Sequence, residues 1–187
     1  MSKLQHTTLK LNEAQSFIGA FHRHSKPLKR HMFSIGAHNG MLMYGAGFHE
    51  QKGYPLGLIG VATVDRCSSA WSRHDGYIEL RRLCINPKFS DSHAASFLIG
   101  KVKQACFAMG NKIIVTYTRP HESGASLMGA GFSINKWKVE HDGEGNVENG
   151  LVRWVCVAGY QPSKDDRDFT RRGLDRFVEL GASKGAL

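Results

Sequence analysis

No CxxC motif and no close cysteine pair occurs in this chain; Cys67, Cys84, Cys106 and Cys156 are scattered through its 187 residues. That spacing offers no disulfide framework to read. Cys84 and Cys156 fall in strand-like runs and Cys106 in a helical one, where buried free thiols are common. A reducing cytoplasm is the compartment to expect. No apolar run reaches the length of a membrane span, and residues 1–10 lack the hydrophobic core of a secretion signal, so no membrane partner is expected. There is no internal repeat, no low-complexity segment and no compositional seam. The length suits one well-packed domain.

Acids are also in short supply: 16 Asp and Glu stand against 25 Lys and Arg, for a net charge of +9. The imbalance is uneven. Residues 1–60 carry seven basic residues against two acids and residues 61–120 carry nine against four, whereas residues 121–160 carry three against five. The excess gathers around Arg23, Lys26, Lys29 and Arg30, joined by Arg81 and Arg82. Such a stripe is the footprint expected of a polyanion partner, and equally that of a solubilising surface.

The apolar periodicities predict an α/β (α+β) chain. Residues 6–11 read as a first strand, and Asn12 as the N-cap of a helix that sets Ala14, Phe17, Ile18 and Phe21 on one face. Pro27 ends that helix by Lys26. Residues 32–37 and 40–48 read as two strands joined by a turn at His38-Asn39-Gly40. Strands follow at 56–64 and 77–85. Asp91 or Ser92 caps the longest helix, which runs to about Met109 and stops at Gly110. After residues 112–132 come strands at 132–140 and 151–158, and an amphipathic helix at 168–180.

Residues 112–132, KIIVTYTRPHESGASLMGAGF, are the most informative stretch. Ile113, Ile114 and Val115 begin a buried strand that ends near Tyr117, Pro120 breaks it, and residues 122–128 read as a short helix closing on small residues. Open α/β sheets place ligands at such ledges beyond their strand ends.

This element order resembles that of the GNAT N-acetyltransferase superfamily, a mixed, twisted sheet flanked by helices. The resemblance covers roughly residues 5–160. It implies a GNAT-like domain over 1–160, with 161–187 as a helical extension packed on or beside it. The motifs His22-Arg23-His24-Ser25-Lys26-Pro27, Glu79-Leu80-Arg81-Arg82-Leu83-Cys84, Ser96 and Thr116-Tyr117-Thr118 with Glu122-Ser123-Gly124-Ala125-Ser126-Leu127 narrow it further. They look like a group of phage-associated proteins similar to the Mom family, which converts adenine N6 in phage DNA to a carbamoylmethyl derivative and so blocks restriction enzymes. On this resemblance His22, His24, Ser25, Arg82, Ser96 and Tyr117 line the active site, and the chain works in a host-cell cytoplasm. It departs from the Mom pattern at Arg119, where an aspartate is expected, and near Met128, where a tyrosine is.

The donor is left open: acyl-CoA or another acyl or carbamoylmethyl donor. Acetyltransferases of that superfamily hold the coenzyme A pyrophosphate on backbone N–H groups at an Arg/Gln-x-x-Gly-x-Gly/Ala turn opening the long helix, where the dipole favours anions. The corresponding segment here, residues 89–96, has no glycine, and Asp91 sets a negative charge in it. Ser90 and Ser92 can still donate.

Each candidate has a plainer reading. His22 and His24 can serve as a general base or together help bind a metal, or be surface histidines at a helix end; no metal ligand set is assigned. Arg81 and Arg82 should face opposite sides of their strand, so one points to the ligand cleft. An arginine in an apolar strand needs an anion, and phosphate, a substrate carboxylate or Glu79 all qualify. Glu122 can accept a proton or simply favour a helix N-terminus; Ser123 can cap and Ser126 orient substrate. Tyr117 can donate a hydroxyl, stack on an extruded base, or be a half-buried strand aromatic.

The function expected is a transferase modifying an exocyclic amine of a DNA base. Arg23, Lys26, Lys29, Arg30, Arg81 and Arg119 would hold double-stranded DNA, and a small molecule would supply the group. The alternatives are an acyl-CoA-dependent N-acyltransferase on a small amine or protein, and a non-catalytic DNA-binding protein. The oligomeric state stays open, a homodimer included.

Overall fold

The computed structural model describes residues 3–21, 28–43, 53–67, 75–90, 93–119, 122–141 and 147–165. In order they form β1 (Gln5–Leu9), α1 (Leu11–Phe21), β2 (Phe33–Met43), β3 (Leu56–Arg66), β4 (Tyr77–Ile85), a 3-10 turn (Pro87–Phe89), α2 (Ala94–Ala108), β5 (Ile113–Thr118), α3 (Ala125–Gly129), β6 (Ser133–His141) and β7 (Val147–Val157). The fold class is α+β, as expected. The helix predicted at 168–180 lies outside the described residues. The chain divides into two compact units, Met1–Asn111 and Lys112–Leu187.

In the first unit β1, β2, β3 and β4 pair in that order, all antiparallel. One face carries Leu9, Leu58, Val61 and Cys84 against Ala14, Phe17 and Ile18 of α1 and against Tyr54. The other face takes α2. There a Cβ on Gly60 would stand 3.1 Å from Leu98 and 3.0 Å from the Cys84 carbonyl, so the bare glycine lets helix and strand approach.

Three boundaries of the first unit differ from expectation for a local reason. β2 is one strand, not two. Gly40 does take a positive φ of 96°, but it absorbs an irregularity in the β2–β3 register between Ala37 and Met43, and the strand continues. α1 begins at Leu11 rather than after an Asn12 cap, because Glu13 Oε2 reaches back to accept from the Lys10 N–H at 2.8 Å. α2 is capped by His93 in a left-handed conformation, with no side-chain cap bond; Asp91 and Ser92 lie outside the described residues. Its end is as expected, with Gly110 at φ 84°.

In the second unit β7 lies between β5 and β6, both ladders antiparallel. α3 starts at Ala125, three residues later than predicted, since Gly124 at φ 60° cannot continue a right-handed helix backward. The Trp154 ring lies against that glycine, and its Nε1 donates to Thr118 Oγ1 at 2.9 Å.

Gly124→Ala combines the left-handed penalty with a methyl driven into the Trp154 ring, and should destabilise by about 3 kcal/mol or more. Gly110→Ala meets no neighbour within 4 Å and should lose only about 1 kcal/mol. Denaturant unfolding of the two variants measures the difference.

Candidate functional site

The α1-facing side of the first sheet is apolar beneath the helix and polar further along the strands. Alternation puts Val61, Thr63 and Asp65 of β3 on that side. Their pairings carry the pattern across: Thr63 faces Ser34 on β2 and Arg82 on β4, and Asp65 faces Glu79. Ser34, Thr63, Asp65 and Glu79 are all buried.

The β3–β4 register shifts by one residue between Thr63 and Val64, so that Arg82 faces Thr63 while Leu80 faces Val64 and Arg81 is left over. Such a bulge breaks the strict alternation of side chains. The expectation that Arg81 and Arg82 face opposite sides therefore fails. Arg82 lies on the Thr63 side by register, and Arg81 turns to the same acids, its Nη1 3.9 Å from Asp65 Oδ2 and its Nε 3.6 Å from Glu79 Oε1. Arg82 Nη1 donates to the Arg81 carbonyl at 2.7 Å. Its pKa is pushed down, first by burial and then by the Arg81 charge, with Glu79 pulling the other way.

Asp65 is the hub. Its Oδ2 lies 3.3 Å from Arg30 Nε and its Oδ1 accepts from the Arg66 N–H at 2.8 Å. The Met32 N–H donates to the Val64 carbonyl at 2.8 Å, which holds the lead-in to β2 along β3. In that lead-in His31 Nδ1 lies 2.6 Å from Ser34 Oγ. Burial lowers the His31 pKa, which Asp65 partly offsets, so the ring is neutral over a wider range than a free imidazole. Asp65, Thr63, Ser34 and His31 were not singled out by sequence reading. Only the pairing register, invisible in one sequence, reveals them.

The other candidates separate. His22, Arg23, His24, Ser25 and Lys26 lie outside the described residues. Lys29 is exposed on the lead-in to β2. Ser96 is exposed in the first turn of α2, the helix on the sheet face opposite to Arg82. In the second unit Tyr117 is half-buried and faces the buried Arg153 across the β5–β7 ladder. Arg119 is exposed. Glu122 lies three residues ahead of α3, and its Oε2 accepts from the Arg119 N–H at 2.6 Å, closing a turn whose other bond runs from the Glu122 N–H to the Arg119 carbonyl at 3.1 Å. Its carboxylate is thus engaged in a turn rather than aligned with a helix dipole. Ser123 Oγ accepts a long 3.5 Å bond from the Ala125 N–H, and Ser126 sits half-buried inside α3.

All four cysteines are free and buried. Burial pushes the Cys84 thiol up to about 11 and the Cys106 thiol up to about 12, so neither serves as a nucleophile near neutrality. Among the described residues no group of three or more His, Cys, Asp and Glu is arranged to hold a metal ion, and no helix is long and apolar enough to cross a membrane.

No family model matches the chain, and no curated protein matches it in sequence. Solved structures do resemble it in fold. An IAA acetyltransferase from Bacillus cereus is 11% identical, with a TM-score of 0.58, covering 83% of this chain and 99% of its own. A Bacillus subtilis acetyltransferase in complex with CoA is 12% identical, with a TM-score of 0.57 over 83% of this chain and 99% of its own. A ribosomal-protein alanine N-acetyltransferase from Escherichia coli is 9% identical, with a TM-score of 0.56 over 87% of this chain and 98% of its own. The fold is that of the GNAT acetyltransferases, with helices flanking a sheet.

Two predictions follow from the patch. Asp65→Asn removes a buried charge (its side chain is 7% exposed) from two guanidinium groups and should destabilise by about 3 kcal/mol. Arg30→Ala, at a side chain 77% exposed, should lose under about 1 kcal/mol in the same denaturation assay. For the thiols, the folded chain keeps protons that the unfolded chain releases near pH 9. Stability should therefore fall as pH rises from about 9 toward 11 to 12. The fall should flatten in a Cys84→Ala, Cys106→Ala double variant followed by urea unfolding against pH.

Proposed function

We propose that the protein is a group-transfer enzyme acting on an amine, of the acyl-CoA-dependent N-acyltransferase kind. The observation that carries this reading is the pair of buried carboxylates, Asp65 and Glu79, opposed across β3 and β4 beside the Arg81 bulge. An amine acceptor arrives protonated, and it must lose that proton before its lone pair can attack. A buried carboxylate binds the ammonium and takes the proton. Arg81 lies beside both acids, 3.9 Å from Asp65 and 3.6 Å from Glu79, and Asp65 also meets Arg30 and accepts from the Arg66 N–H. Glu79 is the residue we assign as the base, with Arg81 beside it. The donor supplies an acyl group activated as a thioester. The amine nitrogen forms the new C–N bond as the C–S bond breaks, and the thiol leaves with a proton.

The start of α2 fits the phosphates of such a donor better than the missing glycine suggests. The unusual backbone conformation a glycine would supply is already taken by His93 at φ 56°. The helix behind it is 15 residues long and opens with Ala94, Ala95 and Ser96. Their small side chains and the N–H groups of the first turn, which have no partner within the helix, suit an anion. Those residues would hold the pyrophosphate.

A second reading concerns the acceptor alone. The +9 charge, with its excess in the first two thirds of the chain, and the exposed Lys29 and Arg30 near the patch favour an amine carried on DNA, as the Mom-like motifs imply. Adenine N6 is then the acceptor, and His22 and His24 are the alternative bases.

Glu79→Gln should reduce transfer by about 10²- to 10⁴-fold while leaving coenzyme A affinity unchanged. Acetyl transfer from acetyl-CoA to an amine panel, with calorimetric binding of coenzyme A, measures both; full activity in the variant removes Glu79 as the base. Nucleoside mass analysis of DNA incubated with the protein and acetyl-CoA separates the acceptors. A shifted adenosine selects DNA, and unchanged nucleosides with an acetylated small amine exclude it.

A further inference from the structure

Thr63 is a buried polar group of the patch that the transfer step leaves unused. The residue is 1% exposed, and its hydroxyl has no hydrogen-bond partner among the described residues. A buried hydroxyl left unpaired lowers stability, so Thr63 weakens the fold where it stands. Its cross-strand neighbours are Ser34 on β2 and Arg82 on β4. Two hydroxyls and a guanidinium therefore stand in one row across the sheet. Ser34 Oγ lies 2.6 Å from His31 Nδ1 and Arg82 Nη1 donates to the Arg81 carbonyl, so Thr63 is the hydroxyl of the row left without a partner among the described residues. The acids Asp65 and Glu79 form the adjoining row, about 7 Å along the strands.

We propose that the row of Ser34, Thr63 and Arg82 is an oxyanion subsite, taking a carboxylate or phosphate that the acceptor carries one strand step from its amine. This rests on the transfer reading above and names the acceptor's class: an amine bearing its own oxyanion. A hydroxyl donor beside a fixed guanidinium charge is matched to oxyanion oxygens. The neighbouring acids repel that same group and attract the ammonium. The two rows therefore sort the ends of the acceptor into a single orientation, with the amine at Glu79. The bulge makes this arrangement possible. It brings Arg81 round to the acids while Arg82 faces Thr63, so one guanidinium stands beside the acid row and the other beside the hydroxyl row.

The test is calorimetric titration of the full chain with inorganic phosphate and, separately, with acetate, in wild type and Thr63→Val. At least one anion should bind saturably to wild type, and Thr63→Val should weaken that binding about tenfold or more. The ligand-free variant should melt about 2–4 °C higher, because the unpaired hydroxyl is gone. Binding of phosphate alone assigns a phosphate-bearing acceptor, and binding of acetate alone a carboxylate-bearing one. No saturable binding of either anion, equal affinity in the variant, or weaker binding together with a lower Tm overturns the proposal; in the last case the hydroxyl belongs to the fold. None of these readouts needs turnover. A chain that binds the anion yet transfers no acetyl group from acetyl-CoA refutes the transfer reading and not the subsite.

Discussion

Between the pairs Thr63 with Arg82 and Val64 with Leu80, the β3–β4 ladder slips by one residue, and the charged patch of the first unit depends on that slip. Without it, Arg81 would point to the α2 side of the sheet, where Gly60 packs against Leu98, and away from Asp65 and Glu79. With it, Arg81 joins Asp65 and Glu79, and two buried carboxylates become tolerable because a cation stands between them. The strand gives up regular pairing at one residue. In return it sets four charged side chains, two acidic and two basic, on one surface.

This division of the sheet face explains why a helix and a polar patch share it. Under α1 the strands present Leu9, Leu58, Val61 and Cys84, and the helix buries them with Phe17 and Ile18. Two residues further along β3, Val61 gives way to Thr63 and then Asp65, and both stay buried. Buried polar groups in such number weaken a fold unless each is paired. Their concentration at one end of one face is the feature on which the proposed site rests. Asp65 also ties the lead-in to β2 to this surface through Arg30.

Much of the architecture was legible in the residues. The strand at Tyr77–Ile85, the long helix ending at Gly110 and the run Ile113–Thr118 all follow from periodicity and punctuation. The misreadings have identifiable causes. Asn39-Gly40 carries hairpin chemistry, yet the strand ran on, because a positive φ serves a bulge as well as a turn. Glu122 looked like the acid at a helix start, but Gly124 delayed the helix and left the carboxylate to close a turn. Arg82 and Arg81 were identifiable as residues in need of an anion, and Glu79 as a possible partner. Asp65 and Thr63 were not, since their role is created by cross-strand register, and a bulge shifts register without any signature in the local composition.

The central claim is that the bulge places Arg81 on the same face as Asp65. A double-mutant cycle on stability tests it most directly, using Asp65→Asn, Arg81→Gln and the pair together. A shared face predicts a coupling of about 1–3 kcal/mol between the two substitutions. Additivity within about 0.3 kcal/mol would mean that Arg81 obeys regular alternation and points away from the acids, and the account of this site would be wrong.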